Sequence, residues 1–134
     1  MEPDGLKRAL ALGKRLGQAF VVTADGDGVP HMASARRLEP AGDHRISLSE
    51  WFCPGTLSNL QVNPHISVVV WDSGKDEGFQ MIGDSEGISE RSMLDGFTGG
   101  PAEVSHVPQV EREILVRVER VIRFSQAPHS DQEE

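Results

Sequence analysis

The sequence is short of cysteine, aromatic residues and long apolar runs. Its 134 residues include one cysteine, no tyrosine and only 5% aromatic residues. A single cysteine, Cys53, cannot form a disulfide within the chain and is typical of proteins in a reducing compartment. No apolar run approaches the roughly 20 residues that a membrane-spanning helix requires. The opening MEPDGLKRALALGKRLG lacks the apolar segment of a signal peptide, so we expect a cytoplasmic protein.

Positive charge is scarce as well. The chain has 13 Lys and Arg against 21 Asp and Glu, a formal net charge of -8. A general nucleic-acid-binding protein needs a basic surface for phosphates and aromatic side chains for bases, so both scarcities argue against that class. The five histidines are scattered without the spacing of zinc ligands. We therefore predict no nucleic-acid partner, no membrane association and no metal site.

The apolar pattern predicts one mostly β domain over residues 1–125, followed by a polar tail over 126–134. A chain of this length buries roughly two thirds of its unfolded surface, which is enough for one core. An amphipathic helix is predicted from Gly5 to Leu16. Six strands follow, and closure into a small barrel would remove the exposed edges of an open sheet. The predicted strands are Ala19–Ala24, Val29–Leu38, Ile46–Ser49, Ile66–Trp71, Phe79–Ser89 and Arg112–Phe124.

The segment from Ile46 to Val70 has the most specific pattern. Its strand gives way to a predicted Pro54-Gly55 turn, and Thr56 is placed to cap a short helix by accepting a backbone N–H. Asn63-Pro64 ends that helix, because the residue before a proline disfavours the α conformation. The next strand, Ile66 to Trp71, shows little alternation, so we expect both of its faces to be covered. A short helix that begins beside a strand end can hold a phosphate at its N-terminus.

Three stretches in this order resemble the pyridoxamine 5′-phosphate oxidase-like family of FMN-binding split barrels. They are FVVTADGDGVPHMASARRL from Phe20 to Leu38, TLSNLQVNPHISVVVWD from Thr56 to Asp72 and GFQMIGDSEGISE from Gly78 to Glu90. The resemblance spans about Leu6 to Phe124. It implies a small split β-barrel of about six antiparallel strands in a Greek-key arrangement, with an N-terminal helix and one short connecting helix. It also implies an FMN cofactor and an oxidoreductase or electron-carrier function, without indicating a substrate.

The resemblance further implies a flavin site on three elements. In the family the flavin lies at a dimer interface, and its phosphate is held by two neighbouring strands and the turn into the short helix. By position, the first strand supplies Ala33, Ser34, Ala35 and Arg36, the next strand supplies Ser49 and Glu50, and the turn supplies Gly55 and Thr56. The small side chains of Ala33 and Ala35 suit a flat ring, whereas Arg36 and the Thr56 hydroxyl suit a phosphate. No catalytic residue is implied.

One departure from the family pattern keeps a second function open. Many flavin-binding members have a basic residue where this chain has Pro54-Gly55-Thr56, and Glu50 adds negative charge nearby. Arg36 or Arg37 would have to compensate for the missing charge. The alternative is a non-catalytic dimeric barrel that binds a deazaflavin, haem, another small molecule or a partner.

Two further expectations concern the surface and one histidine. One core does not provide enough partners for the apolar residues Val68, Val70, Phe79 and Met81. We therefore expect a second copy of the chain to cover them. Each flavin cleft would then be lined by both chains of a homodimer.

His31 stands beside the strand that would carry the flavin, which makes it a candidate for the site. The alternative is that His31 is an ordinary surface histidine at a turn.

Overall fold

The described part of the chain forms two helices and seven strands. A computed structural model describes residues 3–50, 53–91 and 111–126; the tail from residue 127 and most of the stretch between Glu90 and Pro108 lie outside them. The helices are α1 (Pro3–Leu16) and α2 (Pro54–Val62). The strands are β1 (Ala19–Ala24), β2 (Pro30–Ala35), β3 (Arg37–Pro40), β4 (Arg45–Glu50), β5 (His65–Asp72), β6 (Glu77–Arg91) and β7 (Glu111–Phe124).

All seven strands belong to one antiparallel sheet whose two ends meet. Its order is β2-β1-β5-β6-β7-β4-β3. Only Arg36 separates β2 from β3, and its backbone N–H donates to the carbonyl of Ser49 on β4 at 2.9 Å. The bent segment β2–β3 therefore provides the strands at both ends of the sheet. This arrangement confirms the predicted mostly β split barrel. There are seven strands instead of six because the predicted strand Val29–Leu38 is broken at Arg36.

Helix α1 packs against the barrel through its apolar stripe. Leu6, Ala9 and Leu12 are buried, and the helix contacts β3, β5 and β6. Gly13 allows this close packing, because a Cβ there would lie 2.6 Å from a methyl carbon of Leu38. The predicted N-terminal helix is thus confirmed, although it begins two residues earlier than expected. Neither described helix is long and apolar enough to cross a membrane.

Alternate residues of the central strands form the core, and this overturns two expectations. On β5, Ile66, Val68 and Val70 are buried and the residues between them are half-buried, so the strand does alternate. Val68, Val70, Phe79 and Met81 each expose 4% or less. The prediction that these four form a surface patch is therefore wrong. Cross-strand pairing places Val68 beside Met81 and Val70 beside Phe79, and all four fill the interior.

Strand β6 pairs with β5 on one side and with β7 on the other, and two register shifts interrupt its pairing with β7. The second shift lies between Ser85 and Gly87, so Glu86 is an extra residue that bulges from the ladder. The Glu86 carboxylate lies 2.6 Å from Arg45 and 3.4 Å from Arg117. These two arginines are directly opposite each other on β4 and β7, so the bulge places a negative charge between two positive ones.

Candidate functional site

The eight residues predicted for the site lie on three elements that the fold brings together. The β2–β3 bend contacts β4 through the bond from the Arg36 N–H to the Ser49 carbonyl. Helix α2 begins four residues after β4 ends, and it packs against β1 and β2. The predicted residues are distributed as Ala33, Ser34, Ala35 and Arg36 on β2 and the bend, Ser49 and Glu50 at the end of β4, and Gly55 and Thr56 in α2.

The β2 residues alternate between the interior and the surface. Ala35 is 1% exposed and belongs to the core, and Ala33 faces the same way and is half-buried. Met32 and Ser34 are exposed on the outer face, and Arg36 is exposed at the bend. Ala35 can therefore offer a ligand only its backbone, while Ser34 presents a hydroxyl to the outside.

Neighbouring charged groups on β3 and β7 are already paired. Arg37 donates to the Glu111 carboxylate at 3.1 Å, and only 8% of Glu111 is exposed. Ser49 is 3% exposed and lies opposite Arg37 in the ladder of β3 and β4. Glu50 ends β4 opposite Arg112 of β7. Arg37, one of the two arginines that could replace the missing basic residue, is thus paired with Glu111.

Helix α2 begins earlier than the sequence predicts. Pro54 is its first residue, and Cys53 precedes it as the N-cap without a side-chain capping bond. Proline is favoured at the first helical position because it has no N–H to satisfy there, so Pro54-Gly55 opens the helix and forms no separate turn. Thr56 is therefore the third helical residue, and the predicted cap is wrong. Its hydroxyl is fully buried and lies 3.2 Å from the Cys53 sulfur.

The first turn of α2 offers a ligand its backbone N–H groups. An α-helix leaves its first N–H groups without acceptors inside the helix, so those of Gly55 and Thr56 are donors at its start. The Leu57 N–H, one residue further, donates to the Cys53 carbonyl at 3.2 Å. The Thr56 N–H is therefore better placed to bind a phosphate than the buried Thr56 hydroxyl that the sequence suggested.

His31 is the residue near the site that the sequence underrates. It lies on the same inward face of β2 as Ala33 and Ala35, and its ring reaches α2. A Cβ at Gly55 would lie 2.9 Å from His31 Nε2, so any other residue at position 55 would displace the ring. The second ring nitrogen, Nδ1, is buried and has no hydrogen-bond partner among the described residues. The alternation along His31-Met32-Ala33-Ser34-Ala35 is the sequence signal that would have placed this ring inward.

Buried polar groups attach α2 to the barrel. Asn59 Nδ2 donates to Thr23 Oγ1 at 3.0 Å, and the two residues expose 8% and 3% of their surfaces. Thr23 is directly opposite His31 in the pairing of β1 with β2, so both residues belong to the contact between α2 and the barrel. Sequence patterns do not reveal this contact, because its partners Asn59 and Thr23 are 36 residues apart.

The groups that converge here suit a phosphate better than a metal ion. Among residues 3–50, 53–91 and 111–126, no three His, Cys, Asp or Glu side chains are arranged to hold a metal. The candidate donors are the backbone N–H groups at the start of α2, the imidazole of His31 beside them and Arg36 at the β2–β3 bend. Each of them can donate a hydrogen bond to an anion. The donor set therefore fits a phosphate ester.

Comparisons with known proteins agree with this fold. The sequence matched no protein-family model and no curated protein. Among solved structures, a protein from Clostridium acetobutylicum that is related to general stress protein 26, of the pyridoxinephosphate oxidase family, is 18% identical with a TM-score of 0.66. The similarity covers 94% of this chain and 92% of that chain. The fold is that of the pyridoxamine 5′-phosphate oxidase-like split barrels.

Two more solved structures of this fold have names that mention a cofactor. An FMN-binding protein from Syntrophomonas wolfei is 15% identical with a TM-score of 0.67, over 92% of this chain and 88% of that chain. An F420 reductase is 16% identical with a TM-score of 0.58, over 83% of this chain and 93% of that chain. The resemblance predicted from three sequence stretches is thus confirmed at the level of fold.

Proposed function

We propose that this protein binds FMN where the β2–β3 bend, the end of β4 and the first turn of α2 meet, and that it serves as an oxidoreductase or electron carrier. The proposal is supported by the contact of α2 with β2 and of the β2–β3 bend with β4, in a fold that includes a protein named FMN-binding. FMN combines a phosphate with a flat ring, so its site needs anion donors at one end and an uncharged surface at the other. A cytoplasmic location stays a prediction from the sequence.

The phosphate end of the proposed site uses donors on α2 and at the bend. The N–H groups of Gly55 and Thr56 lie at the positive end of the helix, which favours an anion. Arg36 is exposed at the bend, next to the end of β4. This position makes Arg36 our candidate for the positive charge that many family members place in the turn.

The ring end of the proposed site uses the surface of β1 and β2. Neither strand contains Asp, Glu, Lys or Arg. On the outer face, the exposed Ser34 and Met32 lie opposite the half-buried Phe20 and Val22. Bound FMN would supply the redox chemistry, while these residues would orient the ring and exclude water from one side of it.

Titration of the purified protein with FMN tests this proposal. We expect quenching of the flavin fluorescence, followed after desalting by a yellow protein that absorbs at about 450 nm, a general property of flavins. A protein that shows no binding at millimolar FMN would contradict the proposal.

A deazaflavin is the second candidate ligand, because an F420 reductase has the same fold. A parallel titration with coenzyme F420 separates the two candidates. Binding of F420 without binding of FMN would favour the deazaflavin. Binding of neither would favour the non-catalytic barrel, whose ligand could then be sought among haem and other small molecules.

We also propose a homodimer, on a different surface from the one that the sequence suggested. The outer face of β1, β2 and β5 presents Phe20, Val22, Met32 and Val69, and pairing places Phe20 between Ser34 and Val69. Met32 exposes 63% of its surface. A two-fold contact on this face would cover these apolar side chains. It would also bring the second chain beside Ser34, so that both chains line each flavin site.

Light scattering at micromolar concentration tests the dimer. We expect about twice the chain mass of 14.6 kDa for the wild-type protein. Val69→Lys should yield a monomer, because it buries a charge in the contact. Val62→Lys is the matched control, since Val62 is 66% exposed on α2, away from this face. A wild-type monomer would contradict the proposal, and circular dichroism would show whether the variants remain folded.

A further inference from the structure

The two helices close opposite ends of the barrel interior. Gly13 of α1 packs against Val70 of β5, whereas Asn59 of α2 donates to Thr23 of β1 at 3.0 Å. Val70 and Thr23 both face the interior, and the antiparallel register of β1 with β5 places them at opposite ends of this strand pair. Each helix therefore covers one end of the core.

The two helices are attached by side chains of different kinds. Helix α1 buries the apolar residues Leu6, Ala9 and Leu12 against the core. Helix α2 buries three side chains as well, but two of them, Thr56 and Asn59, are polar, and only the third is a leucine. Apolar side chains lose stabilisation when water reaches them, whereas polar groups replace their lost hydrogen bonds with bonds to water. Separation from the barrel should therefore cost less free energy for α2 than for α1.

A buried polar atom without a partner lies beneath α2. The His31 ring contacts the first turn of the helix, since a Cβ at Gly55 would lie 2.9 Å from its Nε2. Its Nδ1 is buried and has no hydrogen-bond partner among the described residues. Such an atom lacks the bonds that it would form in water, so it raises the free energy of the closed arrangement. Movement of α2 away from the ring would give the imidazole access to water and remove this cost.

The chain has a natural hinge where α2 ends. Asn63 has an extended backbone at the C-terminal end of the helix, and Pro64 follows. The Pro64 carbonyl accepts a hydrogen bond from the Ser85 N–H of β6 at 2.8 Å, so the chain is fixed to the sheet from this residue onward. Rotation about the backbone of Asn63 would thus move α2 while leaving β5 in place.

We propose that α2 is a lid, which separates from the barrel as one unit while α1 and the sheet stay folded. Opening exposes the Thr23 hydroxyl and the His31 imidazole at this end of the interior, and it moves the first turn of α2 away from β2. The lid therefore controls access both to the interior and to the candidate site. This inference goes beyond the proposed function, because it concerns the free protein and holds whichever ligand the site binds.

Hydrogen exchange of the ligand-free protein at increasing, sub-denaturing urea concentrations tests the lid. We expect the amides from Ser58 to Val62 to share one opening, with protection factors about 100-fold below those of the central amides of α1. Their exchange should depend little on urea, because the opening exposes little surface. The α1 amides should exchange only through global unfolding and should lose protection steeply with urea. Equal protection and an equal dependence on urea in the two helices would overturn the proposal.

His31→Leu tests the contribution of the unpartnered nitrogen. Leucine fills a similar volume without a buried polar atom, so the closed state should become more stable and the protection of the α2 amides should rise about tenfold. Met32→Leu is the matched control on the same strand, since Met32 is 63% exposed on the outer face, away from α2. Unchanged or lower protection of α2 in His31→Leu would overturn the role of His31 in the lid.

The outcomes separate the lid from the proposed function. Failure of the protein to bind FMN would contradict the proposed function and leave the exchange of the free protein as evidence for or against the lid. Conversely, a protein that binds FMN while both helices exchange only by global unfolding has the proposed function and no lid.

Discussion

The two halves of the sheet have different outer surfaces. The neutral half, β1, β2 and β5, contains a single Asp, Glu, Lys or Arg residue, Asp72 at the end of β5. The charged half, β3, β4 and β7, contains Arg37, Arg45 and Arg117, each bonded to a glutamate. Both halves contribute to the same apolar core. These three arginines are paired within one chain, whereas the neutral surface presents the apolar side chains that we propose a ligand or a second copy covers.

The halves are joined at two irregular places. One is the bend at Arg36, where β2 passes into β3 with no strand residue between them. The other is β6, which pairs with β5 on the neutral side and, through two register shifts, with β7 on the charged side. The candidate site lies at the first of these places. In the proposed site, an anion would contact donors from the bend and α2, and the flat part of the ligand would extend over the neutral surface.

Gly83→Ala should have the largest effect, because it would break the junction in β6. A Cβ at position 83 would overlap the Arg117 carbonyl oxygen and lie 2.9 Å from the Val118 Cα, and backbone cannot move aside as a side chain can. We expect a loss of roughly 3 kcal/mol or more in the free energy of unfolding, measured by urea denaturation. Gly87→Ala is the matched control in the same strand, since a Cβ there meets nothing within 4 Å. Equal stability of the two variants would contradict this account of the junction.

Arg36→Ala tests the other junction through the proposed ligand. Loss of the guanidinium should weaken FMN binding by about 1.5–3 kcal/mol, the scale of a charge-assisted hydrogen bond. Arg36→Lys should recover only part of the affinity, because an ammonium lacks the two-pronged geometry. Arg37→Ala is the control, since Arg37 is paired with Glu111 on the charged half. Unchanged FMN affinity in both Arg36 variants would show that Arg36 is an ordinary surface residue and does not bind the phosphate.

Asn59→Leu probes the polar attachment of α2 to the neutral half. It leaves the buried Thr23 hydroxyl without its donor, so we expect a loss of about 1–2 kcal/mol in the free energy of unfolding by urea denaturation. Adding Thr23→Val should restore part of the loss, because both partners are then apolar. A double variant that is no more stable than Asn59→Leu would show that the bond is not what holds this contact together.

Glu86→Gln should have the smallest effect, and one that depends on pH. The hydrogen bond from Arg45 and its positive charge lower the pKa of Glu86 below its ordinary value of 4.5. A lowered pKa means that the ionised carboxylate stabilises the fold above about pH 4.5 and that this contribution is lost as the pH falls through the lowered pKa. The variant should therefore be less stable to heat than the wild type at pH 7, and this difference should shrink as the pH falls. A difference that is the same at pH 7 and at pH 3 would contradict this account.

Local patterns in the sequence predict most elements of this fold. The helix over Gly5–Leu16 and the strand over Ala19–Ala24 follow from apolar periodicity, and the helix stop at Asn63-Pro64 follows from proline stereochemistry. The break at Arg36 was not predicted, because it depends on which strands lie on either side of the chain in the closed sheet. The interior position of Val68 was missed for a similar reason: a run of apolar residues does not show which face of a strand is buried.

The sequence likewise predicted only some features of the candidate site. Position within the chain suggested which elements carry the site, and the bond between Arg36 and Ser49 shows that two of them, the β2–β3 bend and β4, are adjacent. The start of α2 was misjudged, because Pro54 can open a helix or a turn and the local sequence fits both. The contact between His31 and Gly55 joins residues on different elements, so only the three-dimensional structure reveals it.

The position of β7 has a consequence for how the chain folds. It is the last described strand in the sequence, yet it lies inside the sheet between β6 and β4. The pairs β1–β2, β3–β4 and β5–β6 are hairpins between successive strands and can form as soon as they are synthesised, whereas β4 must wait for β7. A gap between β4 and β6 therefore stays open until β7 has been synthesised, and the unpaired strand edges on either side of it are exposed to aggregation during that time.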